Sequence, residues 1–193
     1  MHRNQRSVFS HREVGTHTRA FGPGLRAAIR QDADVILVGE MRDYETISLA
    51  ITAAEMGMLV FGTLHTNSAA KTIDRIIDSF PADEQGQARL SLSQSVAGIV
   101  SQLLLPQACG KGRRAVVEIL VRTPALPNII REANASMLSS MIQGGKKLGM
   151  QSMDDALMEL VEEGEVAAQD AYLKASDKGR FEGLLPRGAA SAP

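Results

Sequence analysis

Two apolar runs, Val35-Ile36-Leu37-Val38 and Leu59-Val60-Phe61-Gly62-Thr63-Leu64, flank a segment of helical periodicity, and this pattern constrains the fold more than any other. Both runs are β-branched and aliphatic without polar alternation, which predicts strands buried on both faces. Between them Asp43 is placed to cap a helix through Met56, with Ile47, Ala50, Ile51 and Ala54 at helical spacing and Gly57 to end it. Strand, helix, strand at this spacing is a βαβ unit, which closes right-handed with parallel strands. The carboxyl ends of both strands then meet at one sheet edge, where open α/β sheets bind ligands.

Around this unit the periodicity predicts helices over Phe21–Gln31 and Ser68–Asp78, with Leu25, Ala28, Ile29, Ile73, Ile76 and Ile77 on their apolar faces. After Pro81 a longer helix is expected from about Asp83 to Leu105, then a strand over Ala115–Val121. The last third reads as helices over Pro124–Glu132, Ser136–Gln143, Ser152–Glu163 and Ala167–Ala175, separated by Gly144-Gly145 and Gly149. The small-residue, Pro-containing tail from Gly183 to Pro193 is expected to be disordered. A length of 193 residues accommodates one ordinary domain, and no internal repeat is visible.

Composition narrows the class of function. The 21 basic and 22 acidic residues cancel, so no global field draws the chain to nucleic acid or anionic lipid. With 4% aromatics and no Trp there is no stacking platform for single strands, which argues against a nucleic-acid partner. The single cysteine, Cys109, cannot form an internal disulfide, and fits a reducing, cytoplasmic setting. The charged start Met1 to Arg6 precedes no apolar stretch, and no window approaches the ~20 apolar residues that span a bilayer.

Two clusters carry candidate chemistry. The first strand delivers Gly39-Glu40-Met41-Arg42-Asp43 at its carboxyl end. A carboxylate there can orient or deprotonate a water that attacks a phosphate, and an arginine can neutralise phosphate charge. Equally, Glu40 and Asp43 can serve as acidic groups at a helix N-terminus. The second cluster, Thr63-Leu64-His65-Thr66-Asn67-Ser68, follows the second strand and should emerge beside Glu40, with hydroxyls, an imidazole and a helix N-terminus to receive an anion. A lone His at a strand end also has a structural reading, and so does Asn67 or Ser68 as a helix cap. Adjacency of the two loops favours function.

The order of these residues resembles the type II/IV secretion ATPase family, and within it the PilT-like type IV pilus retraction motors, from about His2 to Phe181. IRQDADVILVGEMRD is similar to that family's Walker B signature and GMLVFGTLHTNSAAKTIDRI to its histidine box. HREVGTHTRAFGPGLRAAIR is similar to its arginine-rich segment, and ALPNIIRE (Ala125 to Glu132) to the segment that the retraction motors need downstream of the core. The resemblance implies an α/β fold, an incomplete RecA-like P-loop NTPase core over 1–121, a helical C-terminal region over 122–181 and a disordered tail over 182–193. It implies Glu40 as the catalytic glutamate and His65 as the histidine-box residue. Arg26, Arg30, Arg42 and Thr63 become candidates for contacts to nucleotide, or, for the arginines, to a neighbouring subunit. Arg26 and Arg30, four apart on one helix face, can also be simply solvated. ATP and Mg²⁺ are the implied cofactors. The implied assembly is a homo-hexamer that docks on the inner-membrane platform of the pilus from the cytoplasm.

Departures from the family are equally specific. No GxxxxGK[ST] occurs in the 193 residues: Gly110-Lys111-Gly112 and Gly144-Gly145-Lys146-Lys147 lack the spacing and the hydroxyl residue. That loop would supply backbone donors, a lysine for the β and γ phosphates and a Mg²⁺ ligand. Met1-His2-Arg3 stands where a family member is leaving its acidic box, so a shortened or miscalled gene start is the expectation, and the chain by itself is expected to be inactive. Met58 replaces the first histidine of the box, Ala33 a proline, and Leu126-Pro127 the usual Ile-Arg of the downstream motif. The alternative function is a non-catalytic module that assembles with full-length paralogous motors through the helical third.

Overall fold

The computed structural model describes residues 4–185, which separate into two compact units. The first comprises residues up to His65 together with Ile76–Ser95; the second comprises Thr66–Arg75 and the chain from Val96 onward. Helix α3 (Ala69–Asp78) is divided between them. The strands on either side of residue 110 belong to the second unit.

In the first unit α1 (Phe21–Ile29), β1 (Val35–Val38), α2 (Tyr44–Glu55) and β2 (Leu59–Gly62) form the βαβ unit. β1 pairs with β2 in parallel, Val35 opposite Leu59 and Val38 opposite Gly62. Asp43 caps α2 with both carboxylate oxygens, accepting from the Thr46 amide at 2.9 Å and the Thr46 hydroxyl at 3.2 Å. The helix ends in a Schellman arrangement: the Gly57 amide donates to Ala54 and the Met58 amide to Ala53. Gly57 takes φ +94°, a left-handed backbone that glycine adopts without Cβ strain. Leu25, Ile36, Val38 and Ala53 make the buried core, with Ala28, Ile29, Leu49, Met58 and Val60 packed against it. On α2 it is Ala53, fully buried, that reaches this core rather than the expected Ala54. α4 (Gln85–Ser95) packs on α2, and Tyr44 meets Phe80 edge to face at 5.2 Å.

The expectation that β1 is buried on both faces is corrected. Ile36 and Val38 are buried under α1 and α2, whereas Val35 and Leu37 are 54% and 70% exposed. Both helices lie on one face of the two-stranded ladder, so a continuous apolar run here has a single cover.

The second correction concerns the long helix expected over 83–105. α4 stops at Ser95 and Gly98–Pro106 forms β3, paired antiparallel along its whole length with β4 (Arg113–Val121). Gly98 and the β-branched Ile99-Val100 weaken the helix. The run Leu103-Leu104-Leu105 fits either period, and the nine-pair ladder decides it. Past this hairpin come α5 (Leu126–Arg131), α6 (Ala135–Gly144), a single 3₁₀ turn at Lys146–Leu148, α7 (Met153–Glu162), α8 (Ala168–Lys174) and α9 (Gly179–Glu182), while α3 (Ala69–Asp78) begins in this unit. Gln151 extends β4 by exchanging backbone bonds with Ile119 at 2.8 and 3.0 Å. Leu105, Val116, Leu157, Leu160, Ala171 and the fully buried Phe181 form the core. Buried Asp154 ties α7 to the α8–α9 connection, accepting from the amides of Ser176 and Asp177 at 2.9 and 2.8 Å.

Of the expected disordered tail at 182–193, residues 186–193 lie outside the described residues. Glu182 closes α9, and the Leu184 amide donates to Phe181 at 3.0 Å.

Gly57→Ala is expected to lower stability by about 1 kcal/mol, since alanine at a left-handed position is strained. Phe181→Ala should cost about 3–5 kcal/mol through the cavity it leaves. Urea unfolding followed by circular dichroism measures both, and an unchanged midpoint for Gly57→Ala would show that the Schellman turn is dispensable.

Candidate active site

Parallel pairing brings the ends of β1 and β2 to the same edge, and two further bonds extend the grip beyond the ladder. The Met41 amide donates to the Thr63 carbonyl at 3.0 Å, and the Thr63 hydroxyl donates to the Gly39 carbonyl. Thr63 thus holds the turn that carries Glu40. Two residues further, His65 Nε2 lies 3.0 Å from Glu40 Oε1. The same oxygen accepts from Arg42 Nε. A carboxylate, an imidazole and a guanidinium therefore converge, all within the first unit.

The electrostatics follow from this geometry. The Arg42 hydrogen bond, and more weakly the His65 contact, hold the Glu40 carboxyl below the usual carboxylate range, with partial desolvation opposing. Arg42 is correspondingly raised by Glu40. Glu40 is therefore ionised at neutral pH and can only accept, which fixes Nε2 as the protonated nitrogen of His65. A carboxylate so placed accepts hydrogen bonds from whatever donor approaches its free oxygen. The Glu40 side chain is 23% exposed, while those of Arg42 and His65 are 75% and 86% exposed. Both side chains stand where solvent or a ligand reaches them.

The other half of the expected anion site is different. In the second unit the Ala69 amide, first in α3, donates to Glu118 Oε1 at 2.7 Å. The Ser68 hydroxyl accepts from the Lys71 amide at 3.3 Å. The Thr72 hydroxyl donates to the Ser68 carbonyl at 2.8 Å, leaving Thr66 to donate to Thr72 at 2.7 Å. The protein's own carboxylate and hydroxyl thus take up the Ala69 and Lys71 amides at this helix start. Glu118 is 49 residues from its partner, and no local sequence signal announces it.

Residues 2–174 match the family described as "Type II/IV secretion system protein". The chain belongs to that family. It is 49% identical over 177 residues to a "Twitching motility protein" of Neisseria gonorrhoeae, covering 92% of this chain and 47% of the relative. It is 50% identical over 181 residues to the "Type IV pilus retractation ATPase PilT" of Pseudomonas aeruginosa, covering 94% of this chain and 52% of that one. Among solved structures, the pilus retraction motor PilT with bound ADP superimposes with a TM-score of 0.80 at 44% identity, over 92% of this chain and 52% of the motor. The fold is the ATPase-like α/β fold of such motors. The chain spans about half the length of the curated relatives it matches.

In this secretion-family chain the remaining candidates are placed apart from the triad. Arg26 on α1 pairs with Glu45 in the first turn of α2, and both side chains are more than half exposed. Arg30 is exposed at the C-terminal cap of α1. Met58 packs against the core, so an apolar contact stands where the family's first histidine would be. Among the described residues no three His, Cys, Asp or Glu side chains converge on a metal site. Mg²⁺ is commonly held largely through the phosphates of its nucleotide and water, so it needs no all-protein cage here. No helix among the described residues is long and apolar enough to cross a membrane.

Removing Arg42 should raise the Glu40 carboxyl toward its ordinary value, and His65→Ala should do so less, following the order of the two causes. Because the folded value is the lowered one, the stability Glu40 contributes is complete above the unfolded carboxylate pKa. It is lost as pH falls through the lowered folded value. Carboxyl ¹³C NMR titration of wild type and Arg42→Ala tests this, and identical Glu40 titration curves would overturn the pairing.

Proposed function

We propose that this chain carries the water-orienting glutamate and the histidine loop of a type IV pilus motor ATPase, in which ATP hydrolysis drives pilus retraction. The observation that carries the reading is the 3.0 Å approach of His65 to Glu40 at the carboxyl ends of two parallel strands, with Arg42 on the same oxygen. Fold kinship with a retraction motor that binds ADP supports nucleotide as the ligand.

In this reading Glu40 orients the attacking water near Mg²⁺. Arg42 exchanges its carboxylate partner for phosphate oxygens when nucleotide arrives, which suits a charge placed to stabilise phosphoryl transfer. His65, hydrogen-bonded to the glutamate, couples the state of the site to the chain that follows it. Thr63 positions the Glu40 turn through the backbone, and in nucleotide-bound form it is a candidate contact. Arg26 and Arg30, exposed on α1, serve as contacts to nucleotide or to a neighbouring subunit. The working assembly is a homo-hexameric ring on the cytoplasmic side of the inner membrane, docked on the pilus assembly platform. The near-neutral charge leaves nucleic acid without a role.

The donors that cradle β and γ phosphates form no motif within the 193 residues, so turnover requires a phosphate-binding loop supplied by further polypeptide. The residues 1–121 then act as the glutamate-bearing portion of a RecA-like core, and 122–181 as the helical portion that passes its motion on.

The 193-residue chain is expected to release no phosphate from Mg·ATP above background, whereas a protein extended with a phosphate-loop portion hydrolyses it. In that longer protein Glu40→Gln should lower kcat by at least about 100-fold, the scale of a lost catalytic carboxylate, with nucleotide affinity retained. Malachite-green phosphate assays and fluorescent-nucleotide binding check both, and robust hydrolysis by the 193-residue chain alone would overturn the proposal.

A further inference from the structure

Helix α7 carries three carboxylates along one stripe. Asp155, Glu159 and Glu162 are four and three residues apart, so they line one side of the helix over roughly 10 Å, Asp155 half-buried and the two glutamates exposed. The stripe borders a cleft of about 450 Å³ that lies wholly within the second unit and is shared with the end of α6, with Lys146 in the 3₁₀ turn and with Arg180 on α9. Buried Ile142, Met150 and Ala156 make its apolar floor.

The charge of this cleft is uneven along its length. At the start of α7 Arg180 donates to Asp155 at 2.7 Å, and this bond, with a weaker contribution from the charge of Lys146, holds the Asp155 carboxyl below the usual carboxylate range. Among the described residues Glu159 and Glu162, one and two turns further along, have no ion-pair partner. Like charges three apart on a helix repel, so this end of the cleft favours a cation.

A cation of the right reach is close by in the chain. α9 ends at Glu182, and bonds from the Leu184 and Leu185 amides back to Phe181 and Glu182 keep the backbone turning beyond Arg180. From Leu185, the last described residue, the sequence continues Pro186-Arg187-Gly188-Ala189-Ala190-Ser191-Ala192-Pro193, in which Arg187 is the only charged side chain. Eight residues span at most about 26 Å, more than twice the length of the carboxylate stripe. A segment of this composition has no large apolar side chain with which to build a core of its own, so only a surface elsewhere can hold it.

We infer that the cleft beside α7 is the seat of this chain's own residues 186–193, with the Arg187 guanidinium between Glu159 and Glu162 and the small residues after it over the apolar floor. The seated tail straps α9 to α7 beyond the Asp155–Arg180 pair. A basic segment of another protein then enters the cleft only by displacing it. Nucleotide has no part in this contact, so it stands or falls separately from the ATPase reading.

Trypsin cleavage of the full chain at Arg187–Gly188 tests the seat, followed by the mass of the released peptide and compared with cleavage at Lys111–Gly112 in the exposed turn between β3 and β4. Glu159→Gln/Glu162→Gln is expected to speed cleavage after Arg187 by at least about fivefold and to leave cleavage after Lys111 unchanged, because seating withholds the arginine from the protease. Salt at about 1 M should accelerate cleavage after Arg187 in the unsubstituted chain to a similar extent, relative to the Lys111 bond, since exposed ion pairs are screened. Arg187→Gln provides a second measurement without a protease: in ¹H–¹⁵N spectra the amides of Gly149, Glu159 and Glu162 should shift while those of Lys111 and Gly112 do not. Equal cleavage after Arg187 with and without the two glutamates, or cleft amides unmoved by Arg187→Gln, overturns the inference. Protection that grows with protein concentration overturns it in favour of a tail seated on a second copy.

Discussion

The site depends on a four-residue parallel ladder and the two bonds that continue it. Val35–Val38 against Leu59–Gly62 aligns two strand ends, and the Thr63 backbone and hydroxyl then clasp the turn from Gly39 to Met41. Without that clasp the Glu40 turn would leave the sheet as an ordinary loop, and the side chains beyond it would have no fixed relation to His65. A hydroxyl bonded to a carbonyl contributes modestly on its own. Here it sets the geometry of three charged or polar groups at once.

The charges at this edge are paired with one another and largely exposed. Glu40 holds two donors on one oxygen, and both donors stand largely in solvent. An exposed ion pair of this kind contributes little to stability, so its partners can part at small cost when a more highly charged ligand competes. The pairing with Arg42 holds the carboxyl below its ordinary range. At the start of α3, by contrast, Glu118 and the hydroxyls of Thr66, Ser68 and Thr72 bond one another and the backbone, a closed arrangement with structural use. Two loops with similar residue types thus differ, one with its polar groups largely exposed and one with them bonded to the protein's own groups.

The same ladder is covered by helices on one face only among the described residues. Its helices α1 and α2 bury one face into a compact core, and its other face keeps four large apolar side chains in water. The exposed patch lies next to the turn that carries Glu40. Packing and chemistry are therefore coupled at one sheet edge.

Much of this was legible in the residues. The apolar runs, the Asp43 cap, the Gly57 stop and the positions of Glu40 and His65 after consecutive strands were determined locally, because caps, left-handed glycines and strand ends act over a few residues. The helix expected over 83–105 was not legible, since Leu103-Leu104-Leu105 suits two periods and the choice was made by pairing with Arg113–Val121. The one-sided burial of β1, the Arg26–Glu45 pair and the Glu118 cap were likewise decided by partners distant in sequence. The sequence by itself determined which residues could meet at the ends of β1 and β2 and the chemistry they carry. Only the tertiary structure decided which donors Glu40 holds, that the α3 start is sealed and which face stays bare, because these depend on long-range contacts that no local spacing encodes.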